Sequence, residues 1–223
     1  ELFEKDGISK DIGNHDPTYL TQCARYSLRQ EFIEADAGMT GCNFGVASTG
    51  DCVVCTNEGN ADMSTSIPKL HIVSMGIDKV IPNYDALAVF HRLLARSATG
   101  QPSVSFTSQF RKARPGAEMH VILVDNGRSN IIADQLHWRT AKCIRCGACM
   151  NTCPVYRRSM GYSYNYFIPG PIGINLGMVH NPKKHSGNVS ACSLCLSCDL
   201  VCPVKVAPGS QIYYWRQALE DFH

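Results

Sequence analysis

The most constraining feature of this sequence is a pair of matching cysteine groups in its second half. Residues 143–154 and 192–203 both follow the spacing C-x2-C-x2-C-x3-C-P. Eight of the chain's 12 cysteines fall in these two groups. Three thiolates two residues apart can wrap one face of a compact cluster, whereas a fourth, three residues further on, points away from it. Two copies in one chain therefore predict two sites that exchange their fourth ligands.

This spacing is typical of bacterial ferredoxins, in which the cysteines bind 4Fe–4S clusters. We predict that one cluster is bound by Cys143, Cys146, Cys149 and Cys202, and a second by Cys192, Cys195, Cys198 and Cys153. Gly147 allows the backbone to pass close to the first cluster. Pro154 and Pro203 restrict the backbone after the last cysteine of each group.

Zinc and structural disulfides are the alternatives to iron. Zinc sites usually combine two C-x2–4-C pairs, and a third cysteine two residues further on does not follow that pattern. The chain begins at Glu1 without the charged and apolar regions of a secretory signal. We therefore expect a cytoplasmic, reducing environment, where disulfides are rare.

Composition excludes several other classes of protein. Of the 223 residues, 44% are apolar and 18% are charged, which is ordinary for a globular chain and argues against disorder. No run of 18 apolar residues is present, so no transmembrane segment is expected. A formal net charge of +2 does not suggest binding to nucleic acid.

The part of the chain before the cysteine groups has the pattern of an α/β layer. A helix is predicted over 16–35, with Asp16 as its N-cap and Cys23 packing beside its apolar stripe. A second helix is predicted over 84–96. Short runs rich in Val and Ile predict strands at 43–47, 52–56, 70–75 and 119–124.

The character of the sequence changes near residue 130. We predict an α/β domain over 1–130 and an α-helical domain over 131–223. A linking helix is expected over 130–141 and a terminal helix over 212–219. The aromatic residues between the cysteine groups are expected to pack around the clusters rather than to relay electrons; they are Tyr156, Tyr162, Tyr164, Tyr166 and Phe167.

Several charged and nucleophilic side chains carry weaker signals. Glu58 follows a predicted strand, where α/β folds place ligand loops, and Arg96 and Arg128 have the chemistry to grip a carboxylate. These three are candidates for a substrate site. The structural alternatives are that Glu58 belongs to a solvated turn and that Arg96 stabilises the end of its helix. Cys42, Cys52 and Cys55 are expected to be core or surface residues. Three histidines in apolar segments are expected to be hydrogen-bonded core residues rather than ligands; they are His71, His91 and His120.

Basic side chains flank the first cysteine group. They are Arg139, Lys142, Arg145, Arg157 and Arg158. Each oxidised cubane with four thiolates carries a formal charge of about −2, which such cations would moderate. The alternative is a solvated basic face, in which the same side chains contribute little.

Short motifs outside the cysteine groups resemble the lactate utilization domain. They lie at 40–50, 56–60, 94–100 and 125–129, and the resemblance continues through 166–173. Together with the cysteine groups, their order resembles the lactate utilization B family, the iron–sulfur subunits of a multi-subunit L-lactate oxidation system. The resemblance covers most of residues 16–206.

This resemblance implies an α/β domain similar to the sugar-isomerase and CoA-transferase fold, followed by an α-helical ferredoxin domain with two 4Fe–4S clusters. It also implies partners resembling lactate utilization proteins A and C, and a downstream electron acceptor. Family members are longer than this chain. The early βα units of their first domain are not in this sequence, which predicts an open sheet edge.

The function predicted from this sequence is that of an electron-transfer subunit that is not a complete enzyme by itself. Three alternatives remain at this point. The α/β domain itself binds an organic acid, the clusters are only structural, or the chain serves a related glycolate or heterodisulfide system. We expect any association of the chain with the inner face of a membrane to occur through partner proteins.

Overall fold

The computed structural model describes residues 1–220, so the last three residues of the predicted second domain lie outside the described residues. A mixed α/β region with a parallel sheet comes first, and a helical region with the cysteine groups follows, as predicted. The strands are β1 (Ala37–Gly41), β2 (Phe44–Val46), β3 (Asp51–Thr56), β4 (Leu70–Gly76), β5 (Val80–Ile81), β6 (Phe106–Phe110) and β7 (Glu118–Val124).

The helices of the first region are α1 (Leu2–Lys5), α2 (Pro17–Glu34), α3 (Asn60–Ser66), α4 (Tyr84–Thr99) and α5 (Arg128–Ala133). Those of the second are α6 (Ala148–Thr152), α7 (Pro154–Ser159), α8 (Gly170–His180), α9 (Pro182–Ala191), α10 (Ser197–Val201) and α11 (Pro208–Glu220). Short 3₁₀ turns cover Ile77–Lys79, Trp138–Lys142 and Gly161–Ser163. No helix within residues 1–220 has the length and apolar character needed to cross a membrane.

The strands form two sheets. One is three-stranded and parallel, in the order β1-β4-β7, and Leu70 of β4 lies opposite both Ala37 and Glu118. The other is four-stranded and mixed, in the order β5-β2-β3-β6. Because parallel strands end at the same edge, the loops that follow Gly76 and Val124 lie side by side. This edge faces the helical region.

The core of the first region lies between the mixed sheet and α4. Phe44 stacks on Phe90 of α4 with ring centroids 5.7 Å apart, and Leu87 and Leu94 are buried in the same cluster. Ile144, from the first cysteine group, is buried in this cluster too. The first cysteine group is therefore packed into the core of the α/β region.

Four predicted strands and two predicted helices are confirmed within a few residues. The Asp16 carboxylate caps α2 by accepting a 2.8 Å hydrogen bond from the Tyr19 backbone N–H. The predicted apolar stripe of α2 is wrong as a packing surface, since α2 has no buried residue and Cys23 is half-buried. Strands β1 and β6 and helix α3 were missed, because their short, largely polar segments lack an apolar run.

The continuous linking helix predicted over 130–141 is also wrong. Helix α5 ends at Ala133, and a 3₁₀ turn begins at Trp138. The Asp134 carboxylate accepts hydrogen bonds from the backbone N–H groups of Leu136 (2.8 Å) and His137 (3.1 Å). An Asp that caps the following turn in this way ends the helix before it.

The described part of the parallel sheet has an open edge at β7. Val121, Ile122 and Leu123 are 44%, 50% and 59% exposed, so the edge carries apolar side chains. His120 on this strand is exposed beside Glu118, so its prediction as a core residue is wrong. His71 is buried and bonded to the Thr40 hydroxyl at 2.9 Å, as expected for a satisfied core histidine.

Candidate metal centre

Four cysteine side chains from the two groups surround one cavity. Cys143, Cys146 and Cys149 line it together with Cys202 from the second group, and its volume is about 80 Å³. Ile168, Ile172 and Val206 supply apolar walls. The fold thus brings together the four cysteines that the sequence predicts as one set.

The same backbone conformation occurs in both cysteine loops. Arg145 and Gly147 have φ angles of 64° and 81°, and Leu194 and Leu196, at the equivalent positions, have 53° and 58°. A positive φ costs a non-glycine residue roughly 1–2 kcal/mol. In each loop a strained residue's N–H points at the first cysteine, since Arg145 N lies 3.4 Å from Cys143 Sγ and Leu194 N 3.4 Å from Cys192 Sγ. The two loops are therefore built to surround sulfur with N–H donors.

The second set lies around the first turn of α7. Cys153 is the N-cap of α7, and its sulfur accepts a 3.4 Å hydrogen bond from the Tyr156 N–H. Burial, with the Cys153 thiol close by, raises the pKa of Cys192. Cys153 therefore lies near Cys192 of the second loop. Helices α6 and α10, which carry the third cysteines of the two loops, pack against each other.

The chemistry of the first site favours a multiply charged cation at its centre. Burial, and to a smaller extent the nearby charge of Cys143, raises the pKa of Cys149 to about 12. Burial likewise raises the pKa of Cys146. Thiolates crowded into an apolar cavity need compensating positive charge, which iron supplies when it binds. Within residues 1–220, no three His, Cys, Asp or Glu side chains converge closely enough to hold a single metal ion.

Two buried donors near the second set lack a hydrogen-bond partner within residues 1–220. They are the Tyr164 hydroxyl and Trp215 Nε1. Both side chains belong to the apolar cluster that includes Cys192, Val189 and Ile212. Unpaired buried donors are costly, and sulfur atoms of a cluster are suitable acceptors for them. The residues present therefore fit a cluster at this site.

Cations hold the backbone at the start of each loop. Lys79 Nζ donates a 3.2 Å hydrogen bond to the Cys143 carbonyl. In the second loop the Arg216 guanidinium donates to the carbonyls of Val189 and Cys192. Sequence analysis missed these anchors because nothing local marks a cation that reaches a distant carbonyl.

A carboxylate of the second loop caps a later helix. Asp199 accepts hydrogen bonds from the N–H groups of Gly209 (2.6 Å) and Ser210 (3.0 Å), which caps α11.

Arg145 is joined to the α/β region by a buried carboxylate. Asp78 is 3% exposed, and its Oδ1 lies 2.5 Å from Arg128 Nε while its Oδ2 lies 3.7 Å from Arg145 Nη2. The other predicted flanking cations have different settings. Arg139 and Lys142 lie over the Trp138 ring at 5.8 and 5.7 Å, and Arg157 and Arg158 are exposed in the last turn of α7.

The structure does not bring the three substrate candidates together. Glu58 is exposed just after β3, and its side chain accepts only a 3.3 Å hydrogen bond from Asn60 among the described residues. Arg96 is exposed near the end of α4. Arg128 alone lines a cavity, with Arg145 from the first cysteine loop. No hydrogen bond or ion pair within residues 1–220 joins any two of the three candidates.

Of the cysteines outside the two groups, Cys52 and Cys55 lie in β3, Cys42 lies in the loop before β2, and Cys23 lies in α2. The neighbouring Cys52 thiol lowers the pKa of Cys42, and the Cys42 thiol together with burial raises the pKa of Cys52. Burial raises the pKa of Cys55 to about 11. Cys52 is buried, and Cys55 packs against the core cluster. These positions are those of core residues.

Comparison with known proteins agrees with this architecture. An α/β layer followed by two C-x2-C-x2-C-x3-C-P loops, the first of which shares a cavity with Cys202 of the second, defines an iron–sulfur protein of the ferredoxin type. Residues 2–126 match the family described as "LUD domain", and residues 139–206 match the "4Fe-4S dicluster domain". The chain belongs to the LUD-domain family, and the resemblance found in the sequence is confirmed.

Curated relatives are about 40% identical to this chain over the matched region. "Uncharacterized electron transport protein YkgF" of Escherichia coli K12 is 39% identical over 94% of this chain, and "Lactate utilization protein B" of Shouchella clausii is 42% identical over 93%. "Lactate utilization protein B" of Bacillus pumilus is 42% identical over 92%. The chain spans about half the length of these relatives, with 45%, 45% and 44% of each covered.

A solved structure of a DUF162 family protein from Deinococcus radiodurans also matches part of the chain. Its sequence is 23% identical, and the match covers 43% of this chain and 57% of that one with a TM-score of 0.28. A similarity this low supports no argument about the fold.

Proposed function

We propose that this chain is the iron–sulfur part of a system that oxidises L-lactate to pyruvate, and that it passes single electrons to a downstream acceptor. The observation that carries the proposal is the cavity shared by Cys143, Cys146, Cys149 and Cys202. Relatives named lactate utilization protein B supply the metabolic setting. The chain spans about half the length of those relatives, and we assign the complete activity to an assembly of which this chain is one part.

In this proposal the cysteines hold two 4Fe–4S clusters. Cys143, Cys146, Cys149 and Cys202 hold the first, and Cys192, Cys195, Cys198 and Cys153 hold the second. When bound, such clusters supply reversible one-electron storage. Gly147, whose φ of 81° suits glycine, keeps the first loop close to sulfur. Pro154 begins α7, and Pro203 follows Cys202 in the wall of the first cavity.

The same proposal assigns domains and partners. The α/β domain takes residues 1–130 and a fold similar to that of sugar isomerases and CoA transferases, and the α-helical domain takes 131–223. Oxidation of the substrate, which removes two electrons, is assigned to partners resembling lactate utilization proteins A and C. The reducing cytoplasm suits exposed cluster thiolates such as Cys195.

Anaerobic purification followed by iron and sulfide analysis tests the cluster assignment. We expect about eight iron atoms and eight sulfides per chain, from two cubanes. Zinc without sulfide contradicts the proposal. Redox titration followed by electron paramagnetic resonance (EPR) separates electron transfer from a structural role, since clusters that cannot be reduced reversibly support only a scaffold.

Reduction by L-lactate tests the place of the chain in the system. We expect the clusters to be reduced by L-lactate only after the partner proteins are added. Reduction of the isolated chain by L-lactate would instead favour the alternative in which the α/β domain itself handles the organic acid. That alternative has one observation in its favour, a polar cavity lined by Arg128 and Arg145.

A further inference from the structure

We infer that the polar cavity between the α/β region and the first cysteine loop binds a short-chain organic carboxylate, such as a 2-hydroxy acid. The inference deepens the proposed function, on which it rests only for the choice of L-lactate as the probe. The cavity has a volume of about 240 Å³, below the 300–1,000 Å³ typical of sites for drug-sized ligands. Its size therefore suits a small acid.

The cavity lies where α/β folds commonly place ligands. Asn126, Gly127 and Arg128 line it, and they follow directly on the carboxyl end of β7. Ligands of open α/β sheets bind in the crevice outside the carboxyl ends of the strands. The helical region closes the cavity from the other side with Tyr166 and His180. Neither region forms the site alone.

Two guanidinium groups share a single buried carboxylate at this cavity. Asp78 contacts both Arg128 and Arg145, so one positive charge of the pair is not matched by Asp78. Arg145 Nη1 is buried and has no hydrogen-bond partner within residues 1–220. A carboxylate ligand in the cavity would compensate the unmatched charge and accept charge-assisted hydrogen bonds from the guanidinium groups that line it.

The arrangement of the two arginines is fixed by the end of β4. Gly76 is the last residue of that strand, and a Cβ atom there would lie 2.7 Å from Arg128 Nε and would also overlap Asp78 Oδ1. Arg128 Nη1 donates to the Asp125 carbonyl at 2.9 Å, and the Asp125 carboxylate is bonded to the Ser129 N–H and hydroxyl. Arg128 is thus held rigidly, with its Nη2 not engaged among the described residues.

The remaining walls favour an organic acid over inorganic phosphate. Ile131, Ile168 and Leu176 line one side, which suits a short hydrocarbon part. Tyr166, whose phenol lies near both arginines, and His180 offer partners for a hydroxyl group. A ligand with a carboxylate at one end and a methyl group at the other meets both kinds of wall.

Calorimetric titration of the anaerobically purified chain with sodium L-lactate tests this inference, with sodium phosphate as a second probe. Iron and sulfide are measured first. We expect L-lactate to bind and phosphate to bind at least tenfold more weakly. Asn130 also lines the cavity, and in the R128Q and N130D variants we expect L-lactate affinity to fall at least tenfold with iron content unchanged. R92Q, on the exposed face of α4, is the matched control and should bind as the natural chain does.

A second readout uses the clusters as reporters. An anion beside the first loop disfavours an added electron, and linkage requires that reduction weakens anion binding by the same factor. If reduction weakens L-lactate binding tenfold, saturating L-lactate lowers the midpoint potential of one cluster by about 59 mV. Absence of L-lactate binding, equal binding of phosphate, or unchanged affinity in both cavity variants overturns the inference. Clusters present without L-lactate binding leave the proposed function intact, whereas binding to a chain without iron contradicts only the proposed function.

Discussion

The two cysteine loops share one backbone conformation but have different surroundings. The first is packed into the α/β core through Ile144 and held by Lys79 and by Asp78 through Arg145. The second has an exposed cysteine, Cys195, and lies beside Leu200, which is 81% exposed. The difference teaches that one local motif can serve an enclosed site and an open one, because the long-range contacts decide access.

The second loop is also surrounded by exposed apolar side chains. Leu196, Leu200 and Val201 are 44%, 81% and 42% exposed around it. Apolar side chains grouped in this way favour contact with another protein. The first loop therefore faces the cavity lined by Arg128 and Arg145, whereas the second loop faces outward.

Replacing single cysteines tests the exchange between the loops most severely. If the fourth ligands are exchanged, Cys143→Ser and Cys202→Ser should leave the same remaining EPR signal, and Cys192→Ser and Cys153→Ser should leave the other. Each variant should lose about four of the eight iron atoms. Pairing of Cys202 with Cys192 in this test contradicts the exchanged arrangement. Cys23→Ser, on α2, is the control and should keep both signals.

Substitution at equivalent positions of the two loops separates the anchored loop from the open one. Ile144 is 7% exposed, and Ile144→Ala should cost about 2–5 kcal/mol and lower Tm by roughly 5–15 °C. Ser193 occupies the same position in the second loop and is exposed, so Ser193→Ala should stay within about 0.5 kcal/mol. Thermal unfolding of both iron-loaded variants provides the measurement. Equal Tm values would show that Ile144 is not an anchor.

Alkylation of the iron-free chain compares the thiols directly. Burial raises the pKa of Cys149 to about 12, whereas the Ser197 backbone N–H and hydroxyl lower the pKa of exposed Cys195. At pH 7 iodoacetamide should therefore label Cys195 about 100-fold faster than Cys149, because the thiolate reacts. Raising the pH toward 12 should narrow the gap. Peptide mapping gives the rates, and the chain in urea, where both should react alike, is the control.

The smallest expected effect concerns the charge beside the second loop. Asp199 lies next to Cys198, and its negative charge disfavours reduction of a nearby cluster. Asp199→Asn should raise one midpoint potential by up to about 40 mV, the equivalent of about 1 kcal/mol for a partly exposed charge. Asn is also a good helix cap, so α11 should be kept. An unchanged midpoint potential in the EPR titration would show that the charge of Asp199 does not influence either cluster.

Local sequence was enough to predict several elements of this chain. Asp16 and Pro17 mark the start of α2, and the Val-rich runs mark β3 and β4, because each signal lies within a few residues of the structure it forms. The spacing of the cysteines also predicted that Cys202 joins the first group, since covalent reach limits which sulfurs can face one centre.

Other features were decided only by tertiary structure. Asp78 meets Arg128 and Arg145, which lie 50 residues or more further along the chain, and no local pattern predicts such a meeting. The apolar residues of α2 stay unburied, although their spacing looks like that of a packed helix. Spacing along the chain fixes which groups can share a face, whereas burial and charge pairing depend on segments that only the folded chain brings together.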